Sequence, residues 1–245
     1  SRGLGDVYKR QNEIDVIVNC AAYTAVDKAE DNQELCAKLN SEAVGYLAKA
    51  AEENQAEFIQ ISTDYVFDGT NYVPYRETEP TCPNSVYGVT KLAGEKKALE
   101  YCSKAMIIRT AWLYSVFGNN FVKTMIRLGK ERESLGVIFD QIGTPTYARD
   151  LASAVFAAIR KGIIPGIYHF SNEGVCSWYD FTKSIHRIAG IGNCKVSPLH
   201  TDEYPAKAPR PHYSVLDKTK IKHTYGIEIP HWEESLEQCI KELNV

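Results

Sequence analysis

The sequence predicts an α/β protein with a doubly wound parallel sheet and a smaller C-terminal lobe. Short apolar runs alternate with longer segments of helical periodicity from residue 15 to residue 171. This alternation is typical of β-α-β units, whose right-handed crossovers build an open parallel sheet. After residue 171 the alternation ends and prolines interrupt the chain, which indicates a separate lobe of mixed structure at residues 172–245.

The strands are predicted from apolar runs that end in polar residues. A parallel strand covered on both faces reads as a continuous apolar run, as DVIVNCAA does at 15–22. The other predicted strands are 57–63, 105–114, 134–140 and 166–171, followed by a strand and loop at 193–205.

The helices are predicted from apolar residues that recur on one face. Residues 32–54 show this pattern, with Leu35, Leu39, Val44 and Leu47 on about one side. The other predicted helices are 87–102, 119–131, 147–162, 177–190, a segment near 217–223 and 232–243.

Residues 1–11 (SRGLGDVYKRQ) do not fit this pattern. Gly3-Leu4-Gly5 gives part of a phosphate-binding loop, but no strand precedes it and no third glycine follows. We therefore expect residues 1–11 to be a foreign or non-native end and residues 12–171 to form the sheet domain.

Composition and charge exclude several classes of function. The 28 Lys plus Arg and 31 Asp plus Glu residues give a net charge of −3, which does not favour nucleic acid or an anionic membrane as a partner. There is no apolar run of about 18 residues, the length that a membrane-spanning helix needs. The seven cysteines form no Cys-x-x-Cys pair, so we expect reduced thiols in the cytoplasm and neither a disulfide frame nor a metal site.

Polar residues gather where the predicted strands end, at Asn19, Thr24, Thr63, Asp64 and Trp112. Ligands of open parallel sheets bind beyond the carboxyl ends of the strands. In NCAAYTAVDKAE (19–30), small residues would let a flat ligand approach the backbone. The alternative is that these residues only shape turns and satisfy loose amides.

Tyr87 and Lys91 supply a possible proton donor and its partner. They are four residues apart, so a helix places them on one face. A nearby ammonium would lower the pKa of the phenol, which is ordinarily about 10. The hydroxyl of Thr63 would polarise a carbonyl that Tyr87 protonates, a set that suits hydride transfer to a ketone. Alternatively, the pair belongs to an ordinary surface helix.

Several longer stretches carry a resemblance to a known family. They include ISTDYVFDGTNYVPYRETEPTCPNSVYGVTKLAGEK, RTAWLYS, DQIGTPTYARDLA and APRPHYSVLD. Over residues 12–245 the chain resembles the extended short-chain dehydrogenase/reductases, and within them the reductases of dTDP-linked 4-keto sugars. The resemblance implies a Rossmann-like fold, NADPH or NADH as cofactor, and reduction of dTDP-4-dehydrorhamnose to dTDP-L-rhamnose.

The resemblance also implies roles for individual residues. Thr63, Tyr87 and Lys91 would be catalytic, and residues 172–245 would bind substrate. The residues implied to line the cofactor are Ala21, Ala22, Tyr23, Thr24, Tyr87 and Lys91. The residues implied to hold the dTDP-sugar are Thr63, Asp64, Trp112, Asn119, Asn120 and Arg210.

The sequence departs from the family at its beginning, and other functions remain open. The first strand and glycine-rich turn of the family have no counterpart here, so we expect an N-terminally truncated sheet whose cofactor binding and activity could be impaired. A nucleotide-sugar epimerase is one alternative, but a 4,6-dehydratase is disfavoured because Tyr65, not Glu, follows Asp64. Another alternative is a non-catalytic regulatory subunit like that of methionine adenosyltransferase. The sequence leaves the oligomeric state open, with a homodimer as one candidate.

Overall fold

The computed structural model describes residues 14–244, so the interpretation of residues 1–11 lies outside the described residues. The described strands, numbered in chain order, are β1 (Val16–Asn19), β2 (Glu57–Thr63), β3 (Ala105–Thr110), β4 (Leu113–Tyr114), β5 (Ser134–Ile138), β6 (Ile142–Gly143), β7 (Thr146–Tyr147), β8 (Gly166–His169), β9 (Cys176–Ser177) and β10 (Lys195–Leu199).

The described helices follow the periodic segments. They are α1 (Val26–Ala29), α2 (Gln33–Ala37), α3 (Ala43–Glu53), α4 (Val86–Tyr101), α5 (Phe121–Glu131), α6 (Ala148–Lys161), α7 (Trp178–Ile188), α8 (Thr219–Tyr225) and α9 (Trp232–Leu243). A π-helical turn, Lys38–Glu42, joins α2 to α3, and 3₁₀ turns lie at Asp64–Val66 and Thr201–Glu203.

The main sheet is parallel and doubly wound, as the sequence predicts. Its order is β1-β2-β3-β8. Alternate residues of its strands face opposite layers. Phe58 and Ile107 pack with α3 and α4, whereas Ile59, Met106 and Ile108 pack with α6 and α8.

The strands predicted at 105–114 and 134–140 differ from the structure. The strand predicted at 105–114 ends at Thr110 because Trp112 has a φ of 47°, which breaks extended geometry. The strand predicted at 134–140 is not part of the main sheet, because β5 pairs in parallel with β10.

A second core lies beside the sheet and is built from residues on both sides of residue 171. Tyr114, Val122, Phe181, Trp232 and Leu236 are among its buried members. The boundary at residue 171 stays a prediction, although helix α5 and strand β5 pack with C-terminal elements in this core.

Two further findings concern the described residues. All seven cysteines have free thiols. Between residues 14 and 244, no helix is both long and apolar enough to cross a membrane.

Candidate active site

The carboxyl ends of β1 and β2 bring the first polar groups of the site together. β1 stops at Asn19, earlier than the predicted end of that strand. The side chain of Asn19 donates to Gln60 Oε1 at 2.7 Å and accepts from the main-chain N of Ala21 at 3.1 Å. The bond to Ala21 closes a turn directly after β1.

Helix α4 begins at the position that places Tyr87 in its first turn. The Ser85 hydroxyl caps the helix by accepting from the main-chain N of Gly88 at 3.2 Å. A Cβ atom at Gly88 would lie 2.2 Å from the main-chain oxygen of Tyr65. The absence of a side chain at Gly88 therefore allows the helix to approach the turn that follows β2.

The structure brings Tyr87, Thr63 and Asp64 together at this turn. The Thr63 side chain acts on the phenol of Tyr87 and lowers its pKa. The Thr63 hydroxyl donates to Asp64 Oδ1 at 3.0 Å and accepts from the main-chain N of Tyr65 at 3.2 Å. The Tyr65 ring meets the Tyr87 ring edge to face, with centroids 5.4 Å apart.

Tyr87 differs from the sequence prediction in its protonation. Burial raises the pKa of Tyr87 to about 12, and the neighbouring Thr63 side chain only partly opposes this. The prediction that Lys91 lowers this pKa is wrong for this structure, because desolvation dominates. Lys91 Nζ instead donates to the main-chain oxygen of Ile61 at 2.7 Å. Tyr87 is therefore a protonated phenol at neutral pH.

The pKa values of two further groups near the carboxyl end of β2, Lys91 and Asp64, are also shifted. Burial lowers the pKa of Lys91 to about 8, with the charge of Glu95 acting in the opposite direction. Burial also raises the pKa of Asp64 to about 6, although the hydrogen bond from Thr63 to Oδ1 and the Ser214 side chain act in the opposite direction. Strongly shifted groups beside one another are typical of functional sites.

Ala21, Ala22, Tyr23 and Thr24, which are predicted to line the cofactor, belong to the segment after β1, which lies beside Lys91 and α4. The charge of Lys91 acts on the thiol of Cys20. Asn40 holds the segment in place, since its side chain accepts from Tyr23 N at 2.7 Å and donates to Tyr23 O at 3.1 Å. Asn40 also donates to Thr90 Oγ1 on α4 at 3.3 Å. Ala21 and Thr24 are exposed at this edge.

Trp112 lies on the other side of the Thr63–Asp64 turn. Its ring stacks on Trp178 with centroids 3.5 Å apart and planes inclined by 10°. A Cβ at Gly143 would lie 2.7 Å from the Trp112 ring and 2.8 Å from Ser214 Oγ. Because the Ser214 side chain also acts on the Asp64 carboxyl, Trp112 and Asp64 border the same region.

Arg210 is engaged in an ion pair. Its guanidinium donates to Asp27 Oδ1 at 3.0 Å and to Asp27 Oδ2 at 2.7 Å. The charge of Arg210 acts on Tyr65, so the pair lies on the Tyr65 side of the site. Here Arg210 fastens the loop at 207–210 to α1.

Asn119 and Asn120 lie at the start of α5. Asn119 is exposed. The Asn120 side chain caps the helix, accepting from Lys123 N at 3.2 Å and donating to Ser115 O at 2.6 Å. No described hydrogen bond of residues 14–244 joins either side chain to Thr63, Tyr87 or Lys91, so their role near a nucleotide stays a prediction.

Sequence reasoning missed several residues that shape this site. Asn40, Asp27 and Trp178 hold segments that carry predicted site residues, but each acts through a partner distant in the chain. Glu95 offered a signal that could have been used, because it follows Lys91 by one helical turn and is a carboxylate on a buried face.

Comparisons with known proteins agree with this architecture. Residues 6–245 match the family model described as RmlD substrate binding domain. The chain is 45% identical over 238 residues to the dTDP-4-dehydrorhamnose reductase of Escherichia coli K12, which covers 94% of this chain and 80% of that protein.

Two crystal structures share the fold. A dTDP-4-dehydrorhamnose reductase from Clostridium acetobutylicum superposes with a TM-score of 0.94 at 45% identity, over 98% of this chain and 85% of that one. The Bacillus anthracis enzyme of the same name, in complex with NADP, gives a TM-score of 0.93 at 41% identity, over 97% and 84%. The chain therefore belongs to the RmlD substrate binding domain family, together with the dTDP-4-dehydrorhamnose reductases that it resembles.

Proposed function

We propose that this protein is a reductase that transfers a hydride from NADPH or NADH to the 4-keto group of dTDP-4-dehydrorhamnose, giving dTDP-L-rhamnose. The observation that carries the proposal is the contact between Tyr87 and Thr63 at the carboxyl end of β2, with Lys91 one helical turn further along α4. The E. coli and C. acetobutylicum relatives carry this activity in their names.

The residues beside Lys91 fit a nicotinamide cofactor. The Lys91 side chain is buried, and its ammonium has three donors, of which one bonds Ile61 O. A ribose hydroxyl is a suitable further acceptor. Ala21, Ala22, Tyr23 and Thr24 line the adjacent edge, where small side chains and exposed main chain allow a flat ring to approach. The cofactor supplies the hydride.

Residues of this chain would bind the carbonyl oxygen and supply its proton. Thr63 would donate a hydrogen bond to the 4-keto oxygen and orient it. Tyr87, protonated at neutral pH, would give its proton to that oxygen as hydride reaches C4, so that the C=O bond becomes CH–OH. Lys91 would offset the negative charge left on Tyr87 until solvent returns the proton.

Substrate binding is proposed for the region beyond this centre. Asp64 and the stacked Trp112 would contact the deoxysugar, since a buried carboxyl and an indole can bind its hydroxyls and its apolar face. Asn119, Asn120 and Arg210 would lie towards the nucleotide. Arg210 would meet the diphosphate by exchanging Asp27 for phosphate oxygens, which match its guanidinium geometry equally well.

The test is product formation with purified protein. Wild-type protein should oxidise NADPH only when the keto sugar is present and should yield dTDP-L-rhamnose by mass spectrometry. Tyr87→Phe should lose about 10²-fold or more in kcat. Tyr101→Phe is the matched control, because Tyr101 lies on the same helix away from the site. Full activity of Tyr87→Phe, or conversion without net use of reductant, would contradict the proposal.

We also propose that two copies form a homodimer and that the enzyme works in the cytoplasm. Apolar side chains are exposed on neighbouring helices, including Leu39 at 43%, Tyr46 at 68% and Val89 at 51%. Burial of such side chains favours association. Light scattering should give twice the chain mass for wild type and less for Tyr46→Glu, but no change for Tyr72→Glu. A monomeric wild type would refute the dimer.

The free thiols support a reducing compartment.

A further inference from the structure

A buried ion pair lies beneath the helix that carries Tyr87 and Lys91. Glu95 is one turn beyond Lys91 on α4, and Arg109 is on β3; they are 1% and 2% exposed. The guanidinium donates from Nη2 to Glu95 Oε2 at 2.7 Å and from Nε to Oε1 at 3.0 Å. Both charges are thus removed from water and compensated by each other.

Glu95 is also bonded to the strand that carries Thr63. The Ser62 hydroxyl donates to Glu95 Oε1 at 2.5 Å. Ser62 lies between Ile61, whose main-chain oxygen accepts from Lys91, and Thr63, whose side chain acts on Tyr87. Glu95 therefore holds α4 to β2 and β3 in the register that aligns both contacts.

The charges around Lys91 give Glu95 a second effect. The titratable groups that act on Lys91 are Glu95 on its own helix, Cys20 after β1 and Cys36 on α2. Glu95 is the largest of these influences and favours the ammonium, whereas burial opposes it.

The other charged groups nearby face different partners. Asp64 acts on Tyr87, and Arg109 is committed to Glu95. His169 lies beyond Arg109, and burial lowers its pKa to about 3, so it is neutral at working pH. The carboxylate of Glu95 is thus the charge that opposes desolvation of Lys91 within the described site.

We propose that Glu95 is a positioning residue that keeps Lys91 protonated and aligned with Tyr87, so that it sets the alkaline limit of the reaction; this inference rests on the proposed reductase function. Arg109 and Ser62 hold the Glu95 carboxylate in place. The rival interpretation is that the buried pair only stabilises the fold, and it predicts no effect on the titration of Lys91.

The experiment measures the titration of Lys91 and the pH profile of kcat in the full chain. Lysine labelled with ¹⁵N or ¹³C reports the ammonium by NMR, and Lys91→Met identifies its signal. Glu95→Gln should lower the pKa of Lys91 and move the alkaline limb of kcat to lower pH by roughly one pH unit. Glu100→Gln, an exposed site on the same helix, is the matched control and should change neither.

A second variant guards against misfolding, because Glu95→Gln leaves the Arg109 charge buried without a counter-charge. The double variant Glu95→Leu, Arg109→Met replaces both charges with apolar groups, which buried pairs often tolerate. It should unfold cooperatively and move the alkaline limb in the same direction but by less, because loss of the Arg109 charge partly offsets loss of the Glu95 charge.

Three results would overturn the proposal. One is a folded variant at Glu95 with the wild-type titration of Lys91. Another is a folded variant whose alkaline limb is unchanged. The third needs only wild type: an alkaline limb that does not coincide with the titration of Lys91. A wild-type protein that fails to turn over the keto sugar refutes the proposed function instead, while the NMR titration still tests Glu95.

Discussion

Arg210 and Asp27 form a two-pronged ion pair that joins positions 183 residues apart in the chain. Asp27 Oδ1 also accepts from the main-chain N atoms of Lys207 and Ala208, at 3.1 and 3.0 Å. The loop at 207–210 is thereby fastened to α1, on the Tyr65 side of the site.

This ion pair predicts a pH-dependent effect on stability. Hydrogen bonding by Arg210 lowers the pKa of Asp27 to about 2. Because the folded-state pKa is depressed, the contribution is present above about pH 4 and is lost as pH falls towards 2. Arg210→Met should reduce the free energy of unfolding at pH 7 by about 1 kcal/mol or less, given the partial exposure of the pair.

Urea denaturation at pH 7 and pH 2 checks this prediction. Arg127→Met is the control, because Arg127 forms an exposed pair with Glu131 within one helix. It should change stability by only a few tenths of a kcal/mol. An Arg210→Met deficit that persists undiminished at pH 2 would argue against the ion pair as its cause.

Gly88 makes a second prediction, on packing. A Cβ there would strike the main-chain oxygen of Tyr65, which cannot rotate away as a side chain could. Gly88→Ala should cost about 1–3 kcal/mol of unfolding free energy and reduce kcat, because Tyr87 moves from Thr63. Gly192→Ala, where no atom lies within 4 Å of the added Cβ, is the control. Unchanged stability and activity of Gly88→Ala would refute the close contact.

Asp64 makes a third prediction, in which stability and function oppose each other. Burial raises the pKa of Asp64 to about 6 from an ordinary value near 4. The folded state then binds the proton more tightly, so stability falls as pH rises from about 4 to 6. Asp64→Asn removes that loss and should be more stable than wild type above pH 6, by up to about 3 kcal/mol.

The corresponding measurement is the difference in unfolding free energy between Asp64→Asn and wild type at pH 4, 6 and 8. The difference should grow with pH and then level off, while KM for the keto sugar rises. Exposed Asp202→Asn should show no such trend. A difference that shrinks as pH rises would contradict the burial argument.

Asn40 makes a fourth prediction, on cofactor binding. Its side chain fixes both main-chain polar groups of Tyr23, in the segment proposed to line the nicotinamide. Asn40→Ala should weaken NADPH binding about tenfold, because the segment loses its anchors. Fluorescence titration measures the dissociation constant, with Asn54→Ala at the end of α3 as the control. Equal NADPH affinity in both variants would show that Asn40 does not support cofactor binding.

The sequence predicted those strands and helices whose ends are set by contacts between residues close together in the chain. β2 is found at its predicted bounds, and the predicted helices on either side of it lie within a residue or two of the structure. Ser85 and Asn120 show the reason, since each caps a helix through a contact three residues ahead. Thr63 and Tyr87 lie near each other for a related reason, because the carboxyl end of a parallel strand and the start of the helix that follows it are at one edge of the sheet.

Contacts across long stretches of chain were not predictable in this way. β5 reads as another strand of the main sheet, yet it pairs with β10, about 60 residues later. The left-handed backbone of Trp112 is held by the stacking of its ring on Trp178. No local sequence pattern predicts this contact. The sequence also predicted the wrong direction for the shift in the pKa of Tyr87. The spacing of Tyr87 and Lys91 indicates a neighbouring charge, but it does not show how deeply the phenol is buried.

The most direct test of the central claim is the coupling between Thr63→Val and Tyr87→Phe in kcat. If both hydroxyls act on one keto oxygen, removing either disables the same step, so the double variant should be only slightly slower than Tyr87→Phe alone. If the two losses multiply to give the double variant, Thr63 and Tyr87 act independently, and the account of a shared carbonyl site is wrong.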